Sequence, residues 1–572
     1  MQPATPIWSV RPPAPPDELA ELADWPPAFA QLLWNRGLRS RAEAEDFLQP
    51  DYRRLADPGL MKGMSTAVER IARALEAGER ITVYGDFDAD GVTGVTLLVQ
   101  ALRTLGGQVH PYIPHRLEEG YGLNMEAVER LAAEGTRLLI TVDCGVSNAA
   151  EVARARALGM DVIITDHHLP PENLPPALAV LNPRQPGCPY PFKRLAGVGI
   201  AFALVRGLAR MGVPGHRNLR REDFLDLVAL GTVADVAPLV GENRILVAYG
   251  LEAIRRTQRP GLRALMAVAG VRPDRVDTGT IGFTLGPRLN AAGRLAHARS
   301  SYRLLLAEEE EEAAALAREL DALNRERQEV MARVLEEARN RVLALPDEQR
   351  VIFLASPDFP AGVIGLVAGK LLEEFHRPTL LVELGEGESR GSARSLPDLH
   401  ITEALKQCAD LLTRYGGHRL AAGFTLPNEN LPLLAERLQS LADALLDERA
   451  LTPRLEIEAE VSLSELNWEL LRLIELLAPF GIENPHPLFL CRQVRVQNVR
   501  PIGKNGEHLR LTLSDGRTSR EAVGFRLGPR AGECPPGSRL DLVCTLESDL
   551  WNGEERLELR VRDFRPAGSA RP

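Results

Sequence analysis

From about residue 78 to 250, short apolar runs alternate with stretches whose apolar residues recur every three or four positions. The runs fall at 81–84, 138–142, 162–165 and 179–181, and segments such as VTGVTLLVQALRTLG and NAAEVARARALG lie between them. Continuous apolar runs mark strands buried on both faces, and the longer periodicity marks amphipathic helices. Together they predict a parallel, doubly wound α/β sheet. Residues 303–343, with five glutamates at 308–312, predict one long solvated linking helix. A second α/β pattern follows from about 350 to 447, in VIFLAS, GVIGLVAGKLLEEF and PTLLVEL. Beyond a polar linker near ALTPRLE, the segments HLRLTLSDG, EAVGFRL, SRLDLVCTLE and RLELRVRDF have the spacing of a small all-β barrel. Residues 1–77 mix Pro-rich stretches with helical patterns such as RAEAEDFLQ. The expected division is an extension (1–77) packing on the first α/β domain (78–300), the linking helix (301–345), a second α/β domain (346–450) and the barrel (454–568).

Composition narrows the class. A chain of 572 residues, 45% apolar and 26% charged, can bury several cores and is neither fibrous, disordered nor a small disulfide scaffold. No run approaches the roughly 18 apolar residues that cross a bilayer, so no membrane role is expected. The opening MQPATPIWSVRPPAPPDE lacks the basic-then-apolar pattern of a secretory signal. Six cysteines (144, 188, 408, 491, 534, 544) lie far apart without a C-x-x-C, which fits a reduced cytoplasm and argues against structural zinc. The formal charge of −10 disfavours a generally basic nucleic-acid binder, so charge has to be read locally.

The most informative stretch is ITVYGDFDADGVTG. A strand ends at Tyr84, and Asp86, Asp88 and Asp90 follow at alternate positions before a helix. Ligand sites of open α/β sheets gather at the carboxyl ends of strands, and three crowded carboxylates require a cation. The spacing matches the start of an EF-hand loop, but that loop needs a bidentate Glu at its twelfth position, where this chain has Leu97. The theme recurs. LLITVDCG places Asp143 past an apolar run, VIITDHHLP places Asp166, His167 and His168 past another, and LVALGTVADVAPL delivers Asp235. A single Asp at a strand end is ordinarily a helix cap; four such features in one sheet predict a metal centre. Mixed carboxylate and imidazole ligands suit Mn²⁺ or Mg²⁺. Five or six ligands are too many for one catalytic ion, so two ions are expected, about 3.5–4 Å apart, the geometry of in-line attack on phosphorus.

D-x-D-x-D-G, V-D-C-G, D-H-H and G-T-x-A-D, in that order, resemble the DHH phosphoesterase superfamily. HRLEEGYGLN (115–124), LGPRLNAAGRL (285–295) and LAPFGIENPHPLF (477–489) narrow the resemblance to the RecJ single-strand DNA exonucleases, while RGSARS (390–395) and GGHRLAAGF (416–424) resemble the DHH-associated domain. The resemblance spans roughly residues 70–530. It implies a parallel-sheet DHH domain, a DHH-associated α/β domain and an OB-like barrel. It implies Asp88, Asp90, Asp143, His167 and Asp235 as metal ligands, Asp143 as the bridge, and Asp86 as a ligand or a carboxylate behind one. Many superfamily members carry a His four residues before the position of Asp88, where this chain has Tyr84. His168 is placed to touch the scissile phosphate, or to hold a structural hydrogen bond.

Arg116, Arg288, Ser392 and Arg394 correspond to groups that grip a 5′-terminal phosphate, the plainer reading of each Arg being an interdomain salt bridge. Gly417 and His418 would approach a nucleotide or form a tight turn, and Asn290 would bind phosphate or cap a helix. The associated domain often reads H-P-G-V-I-G-I-V-A-S-R-L, whereas this chain has Pro360-Ala361-Gly362 before VIGLVAGKL.

Residues 486–530 carry nine Lys and Arg against three acids, an excess of six inside a chain of −10. Arg492, Arg495, Lys504 and Arg510 are the expected single-strand track, with Phe489, Phe525 and Trp551 as stacking candidates and barrel core as the plainer reading of the two Phe. The expected activity is a cytoplasmic, two-metal 5′→3′ exonuclease that degrades single-stranded DNA to mononucleotides in repair and recombination. Polarity, substrate, and the partners (single-strand-binding protein and a recombination helicase) are implied by the resemblance; two lobes joined by a helix are compatible with a monomer. A short-oligonucleotide or cyclic-dinucleotide phosphodiesterase would lack the barrel, and a non-catalytic replication scaffold would lack the acidic ligands.

Overall fold

The computed structural model describes residues 1–116, 118–551 and 554–568 in two compact units. The side chain of Trp551, one of the expected stacking groups, lies outside the described residues.

Residues 45–325 and 477–486 form the unit that carries the acidic motifs. Its sheet has five parallel strands in the order Gln108–Tyr112, Arg80–Gly85, Leu138–Val142, Asp161–Thr165, Ala179–Leu181. Every residue of Leu138–Val142 is buried, as required of a central strand covered on both faces. The chain leaves Arg80–Gly85 through the helix Ala89–Thr104, adds the edge strand Gln108–Tyr112, then returns to place Leu138–Val142 on the opposite side. That reversal is the topological switch point of the sheet, and the carboxyl ends of Arg80–Gly85 and Leu138–Val142 open onto it.

Asp235 departs from expectation: it follows a helix, Leu225–Ala234, rather than a strand. The residues of that helix are buried almost all round, and a helix that is apolar on every face reads locally like a core strand.

Residues 1–44, 326–476 and 487–568 form the other unit. One sheet orders Arg414–Gly417, Ala421–Pro427, Glu388–Arg394, Thr379–Glu383 and Ile352–Ser356; only the last pair is parallel, joined by the helix Ala361–Phe375. A second sheet closes on itself. Phe489–Ile502, His508–Ser514, Ser519–Gly524, Glu554–Pro566 and Arg539–Trp551 pair in sequence around a ring, and Arg539–Trp551 pairs back to Phe489–Ile502. Phe489 is fully buried inside this OB-like barrel, so it is core rather than a stacking surface.

The N-terminal extension is also placed differently. Residues 1–44 belong to the barrel-bearing unit: Ile7–Val10 pairs in parallel with Arg454–Ile457, and Trp8 Nε1 donates to Asp563 (2.8 Å). Only residues from 45 onward join the parallel-sheet unit. The linking helix runs Glu310–Leu343, after a separate helix Arg299–Leu306, and it is not solvated all round: Leu316, Ala317 and Leu320 enter one core, Val334, Ala338 and Val342 another. Among the described residues no helix is long and apolar enough to cross a membrane.

What fastens the extension is a buried ion pair. Arg36 Nη1 lies 2.7 Å from Glu458 Oε2, with the two side chains 7% and 8% exposed, and Asn35 donates to the Glu458 carbonyl (2.9 Å). Arg36→Met strands a buried carboxylate and is expected to cost about 3–5 kcal/mol in chemical denaturation, most of it recovered when Glu458→Met is added. A loss below about 1 kcal/mol would place the pair with solvent-screened bridges.

Candidate metal centre and phosphate-binding groups

Local sequence explains how the carboxylates are presented. Asp88 caps the helix Ala89–Thr104, one oxygen accepting from the amides of Asp90 and Gly91. Gly91 is required because a Cβ there would lie 2.6 Å from the Asp86 carbonyl, so the chain can fold back tightly enough to set Asp86 beside Asp88. Asp90 turns the other way. Its two oxygens accept from the amides of Gly197 (2.7 Å) and Val198 (2.8 Å), at the N-terminus of the helix Gly197–Arg210. Asp143, just past its strand, sits at φ 60°, an uncommon conformation for a non-glycine residue, and its amide donates to the Thr165 carbonyl.

These groups converge. Ligand atoms of Asp86, Asp88 and Asp143 lie within 4.8 Å of one another, and so do those of Asp90, His167 and Asp235. The two sets meet where His167 Nε2 lies 3.0 Å from Asp143 Oδ1, and His167 Nδ1 is 3.8 Å from Asp235. All six metal-ligand candidates are therefore in one place, in two groups of three, and Asp143, His167 and His168 form a third group that overlaps both.

Electrostatics shows that the cluster is built for cations. Burial, followed by the neighbouring Asp88 charge, pushes the Asp90 carboxyl up to about 7 and raises Asp86 well above the carboxylate range. Asp143 and Asp235 are raised by burial and then by Asp90 and Asp88. Asp86 Oδ1 is buried without a hydrogen-bond partner. A buried acceptor with no donor among mutually repelling carboxylates is what divalent cations would satisfy, so the residues fit two ions. Tyr84 does not serve this purpose. Its ring is buried against Tyr112, and its hydroxyl donates to the Gly122 carbonyl. Asp86 stands with Asp88 and Asp143 instead.

His168 faces the cluster beside Asp143 and His167 and is oriented from behind. Its Nδ1–H donates to Asp166 (2.7 Å), whose other oxygen accepts from the Val146 amide, and Asn182 donates to the His168 carbonyl. Burial alone would raise Asp166, but the hydrogen bond and charge of His168 hold it below its ordinary value. The sequence points to His167 as a ligand and to His168 as a phosphate contact or structural hydrogen bond, and assigns Asp166 no role; Asp166 orients His168, while its neighbours face the cluster. Tyr121 was missed entirely. Its hydroxyl donates to the Asp143 carbonyl and lies 3.1 Å from His168 Nδ1. Its place in GYGLN, between two positive-φ glycines, was the available signal.

The expected phosphate groups have different fates. Arg116 stacks over Phe87 (4.9 Å) and forms no ion pair among the described residues; burial pulls its guanidinium pKa down while Asp86 and Asp88 oppose the shift. Arg288 is paired with Asp321 inside its own unit, not across units. Asn290 takes the capping role, its Oδ1 accepting from the Ala89 amide (2.7 Å). In the other unit, Ser392 and Arg394 share one face of the strand Glu388–Arg394, with Arg394 Nη1 3.3 Å from Ser392 Oγ. A Cβ at Gly365 would meet both. Gly417 (φ 150°) and His418 form an exposed hairpin tip, the His418 amide donating to the Ala421 carbonyl and Thr402 donating to the His418 carbonyl.

On the barrel, Arg492 is tied to Glu460 (2.8 Å) and Asp541 (3.5 Å), which gives it a structural role. Arg495 and Lys504 are exposed, and Arg510 is half-buried opposite Arg500. Phe525 is 51% exposed, edge-on to His508, with Arg560 over its ring (5.3 Å). His508 and Arg560, far apart in sequence, complete an aromatic and cationic patch that spacing alone did not reveal.

Comparison with known proteins matches three successive segments of the chain. Residues 80–232 match the model of the DHH family N-terminal domain, 348–447 the DHHA1 domain, and 457–563 the RecJ OB domain. The chain is 39% identical over 571 residues to the single-stranded-DNA-specific exonuclease RecJ of Escherichia coli (strain K12), covering 96% of this chain and 98% of that one. The crystal structure of RecJ from Thermus thermophilus in complex with Mn²⁺ superposes with a TM-score of 0.85 at 34% identity, over 98% of this chain and 80% of that one. Its complex with Mg²⁺ gives 0.79 at 32%, over 98% and 79%. Identity of this level along nearly the whole of both chains leaves one assignment: the chain belongs to the RecJ family.

Proposed function

We propose that the protein is a single-stranded-DNA exonuclease that hydrolyses phosphodiesters with two divalent ions, Mn²⁺ or Mg²⁺. The observation that carries the proposal is the pairing of two three-residue groups through the 3.0 Å contact of His167 with Asp143. Asp86, Asp88 and Asp143 would hold one ion, and Asp90, His167 and Asp235 the other, with Asp143 between them. When bound, such ions supply water activation and neutralise charge on the attacked phosphate.

The chain's own groups supply the rest. Asp166 fixes the imidazole of His168, leaving its outer nitrogen to donate to a phosphate oxygen as charge develops there. Arg116, stacked on Phe87 beside Asp86 and Asp88 and without an ion pair among the described residues, is suited to a terminal phosphate. Arg288 would add to that grip; in the other unit, Ser392 and Arg394 would bind backbone phosphate, and Gly417 and His418 would contact a nucleotide. Arg495, Lys504, Arg510 and Phe525 would guide the strand. Family likeness supports 5′→3′ polarity, mononucleotide release, a place in DNA repair and recombination, a cytoplasmic monomer, and work alongside single-strand-binding protein and a recombination helicase.

With Mn²⁺ and a long single strand, a 5′-terminal label is expected to appear first as mononucleotide, and Asp143→Ala is expected to lower the rate at least about 10³-fold, the scale set by loss of a metal's charge stabilisation. Release of the 3′ label first would reverse the polarity; an intact long strand with cleaved dinucleotides would indicate a short-oligonucleotide enzyme. Phe525→Ala is expected to weaken binding of a long strand by about 1–3 kcal/mol. Lys504→Ala should flatten the slope of log affinity against log salt by about 0.7, one single-strand phosphate contact. An unchanged slope would remove Lys504 from the track.

A further inference from the structure

Arg288 is held at its three guanidinium nitrogens by two groups that lie outside the metal centre. Its Nε and Nη2 each lie 3.0 Å from Asp321 Oδ1, and its Nη1 donates to the Thr284 carbonyl at 2.8 Å. The Arg288 side chain is 16% exposed and that of Asp321 4%. Asp321 projects from the helix Glu310–Leu343, and its second oxygen is taken by Arg325. Burial would raise the Asp321 carboxyl, but the two guanidiniums hold it below its ordinary range, so the carboxylate stays charged.

The second of these groups comes from an irregular piece of helix. Residues 278–295 are helical throughout, but Ile281–Leu285 is a π-turn, a rare geometry found mostly at functional sites. Thr284, whose carbonyl reaches Arg288, belongs to this turn. Gly286 follows because a Cβ there would lie 2.9 Å from the Ile281 carbonyl. The widened turn and the glycine behind it thus set a carbonyl acceptor against the guanidinium.

Guanidinium chemistry gives this arrangement a consequence. Arginine has five N–H groups in a rigid plane. Asp321 accepts the one on Nε, with Nη2 at ion-pair distance from the same oxygen, and Thr284 accepts one from Nη1. N–H groups on both terminal nitrogens remain to meet phosphate oxygens. A single carboxylate shared by Arg288 and Arg325 also leaves the trio with net positive charge, so Asp321 orients Arg288 without neutralising the site.

We propose that Asp321, together with the Thr284 carbonyl, is a positioning residue that presents Arg288 to the 5′-terminal phosphate and so sets the preference for phosphorylated ends. The inference rests on the reading of Arg288 as a phosphate-gripping group. The test is fluorescence anisotropy of the full chain in EDTA, where no cleavage occurs, comparing a 5′-phosphorylated oligonucleotide with its 5′-hydroxyl twin. Arg288→Ala should lower the affinity ratio between the two by about 10-fold or more, the scale of a charge-assisted contact. Asp321→Ala should lower the ratio by a comparable factor, and Arg288→Ala/Asp321→Ala should be no worse than Arg288→Ala alone, since residues acting through one group are not additive. Asp321→Asn, which keeps shape and loses charge, should fall between wild type and Asp321→Ala, and serves if the alanine variant does not fold. In turnover with Mn²⁺, the Asp321 variants should raise KM for phosphorylated strands with little change in kcat. A lowered melting temperature with an unchanged affinity ratio would make Asp321 merely structural, and an additive double variant would make it independent of Arg288; either overturns the proposal. An unchanged ratio in Arg288→Ala itself would overturn the phosphate-gripping reading beneath it.

Discussion

Carboxylates buried side by side repel one another, and the parallel-sheet unit is arranged so that this repulsion is met by cations rather than by protons alone. Asp86, Asp88, Asp90, Asp143 and Asp235 occupy the mouth of the switch point with one imidazole between the two groups. Two unit charges a few ångströms apart in a partly desolvated site interact by several kcal/mol at an effective dielectric of about 20. A fold that held the residues loosely would let them separate into water. This one does not allow it. Asp90 is pinned by two amides at a helix N-terminus, Asp88 is tied to the first turn of its own helix, and Asp143 is locked in a left-handed backbone conformation.

The glycines around the centre follow from the same constraint. A Cβ at Gly197 would lie 2.6 Å from the Asp143 Cβ, and one at Gly231 would lie 2.9 Å from Asp90 Oδ1. Bare backbone is the only surface that lets the helices Gly197–Arg210 and Leu225–Ala234 come this close to the acids. Precise placement also depends on a layer behind the facing groups. Asp166 and Asn182 set the loop that carries His167 and His168, and Tyr121 reaches across to the Asp143 carbonyl. Such support is what keeps a reacting geometry within the fraction of an ångström that catalysis requires.

Much of this was legible in the sequence because it is local. Apolar runs ending in Asp86–Asp90, Asp143 and Asp166–His168 are strand ends, and the sheet places them there. What was not legible depends on contacts distant in the chain. The helix before Asp235 resembled a strand because it is buried on all sides. The attachment of Ile7–Val10 to Arg454–Ile457 joins opposite ends of the chain and leaves no periodic trace. Asn290 became a cap, Arg492 a tethered residue and Phe489 core because each found a partner or a packing site that spacing cannot indicate. Phe525 kept its exposure and gained His508 and Arg560 as neighbours through the strand order of the barrel.

The central claim is that one buried cluster holds two ions, and counting them tests it most directly. Mn²⁺ titrated into the metal-free chain, followed by isothermal calorimetry and by loss of the free-ion electron paramagnetic resonance signal, should give two bound ions per chain. Asp235→Asn should leave one tight site, because Asp86, Asp88 and Asp143 stay intact. One ion in the native chain, or two retained undiminished in Asp235→Asn, would contradict the division of the six residues into two groups of three.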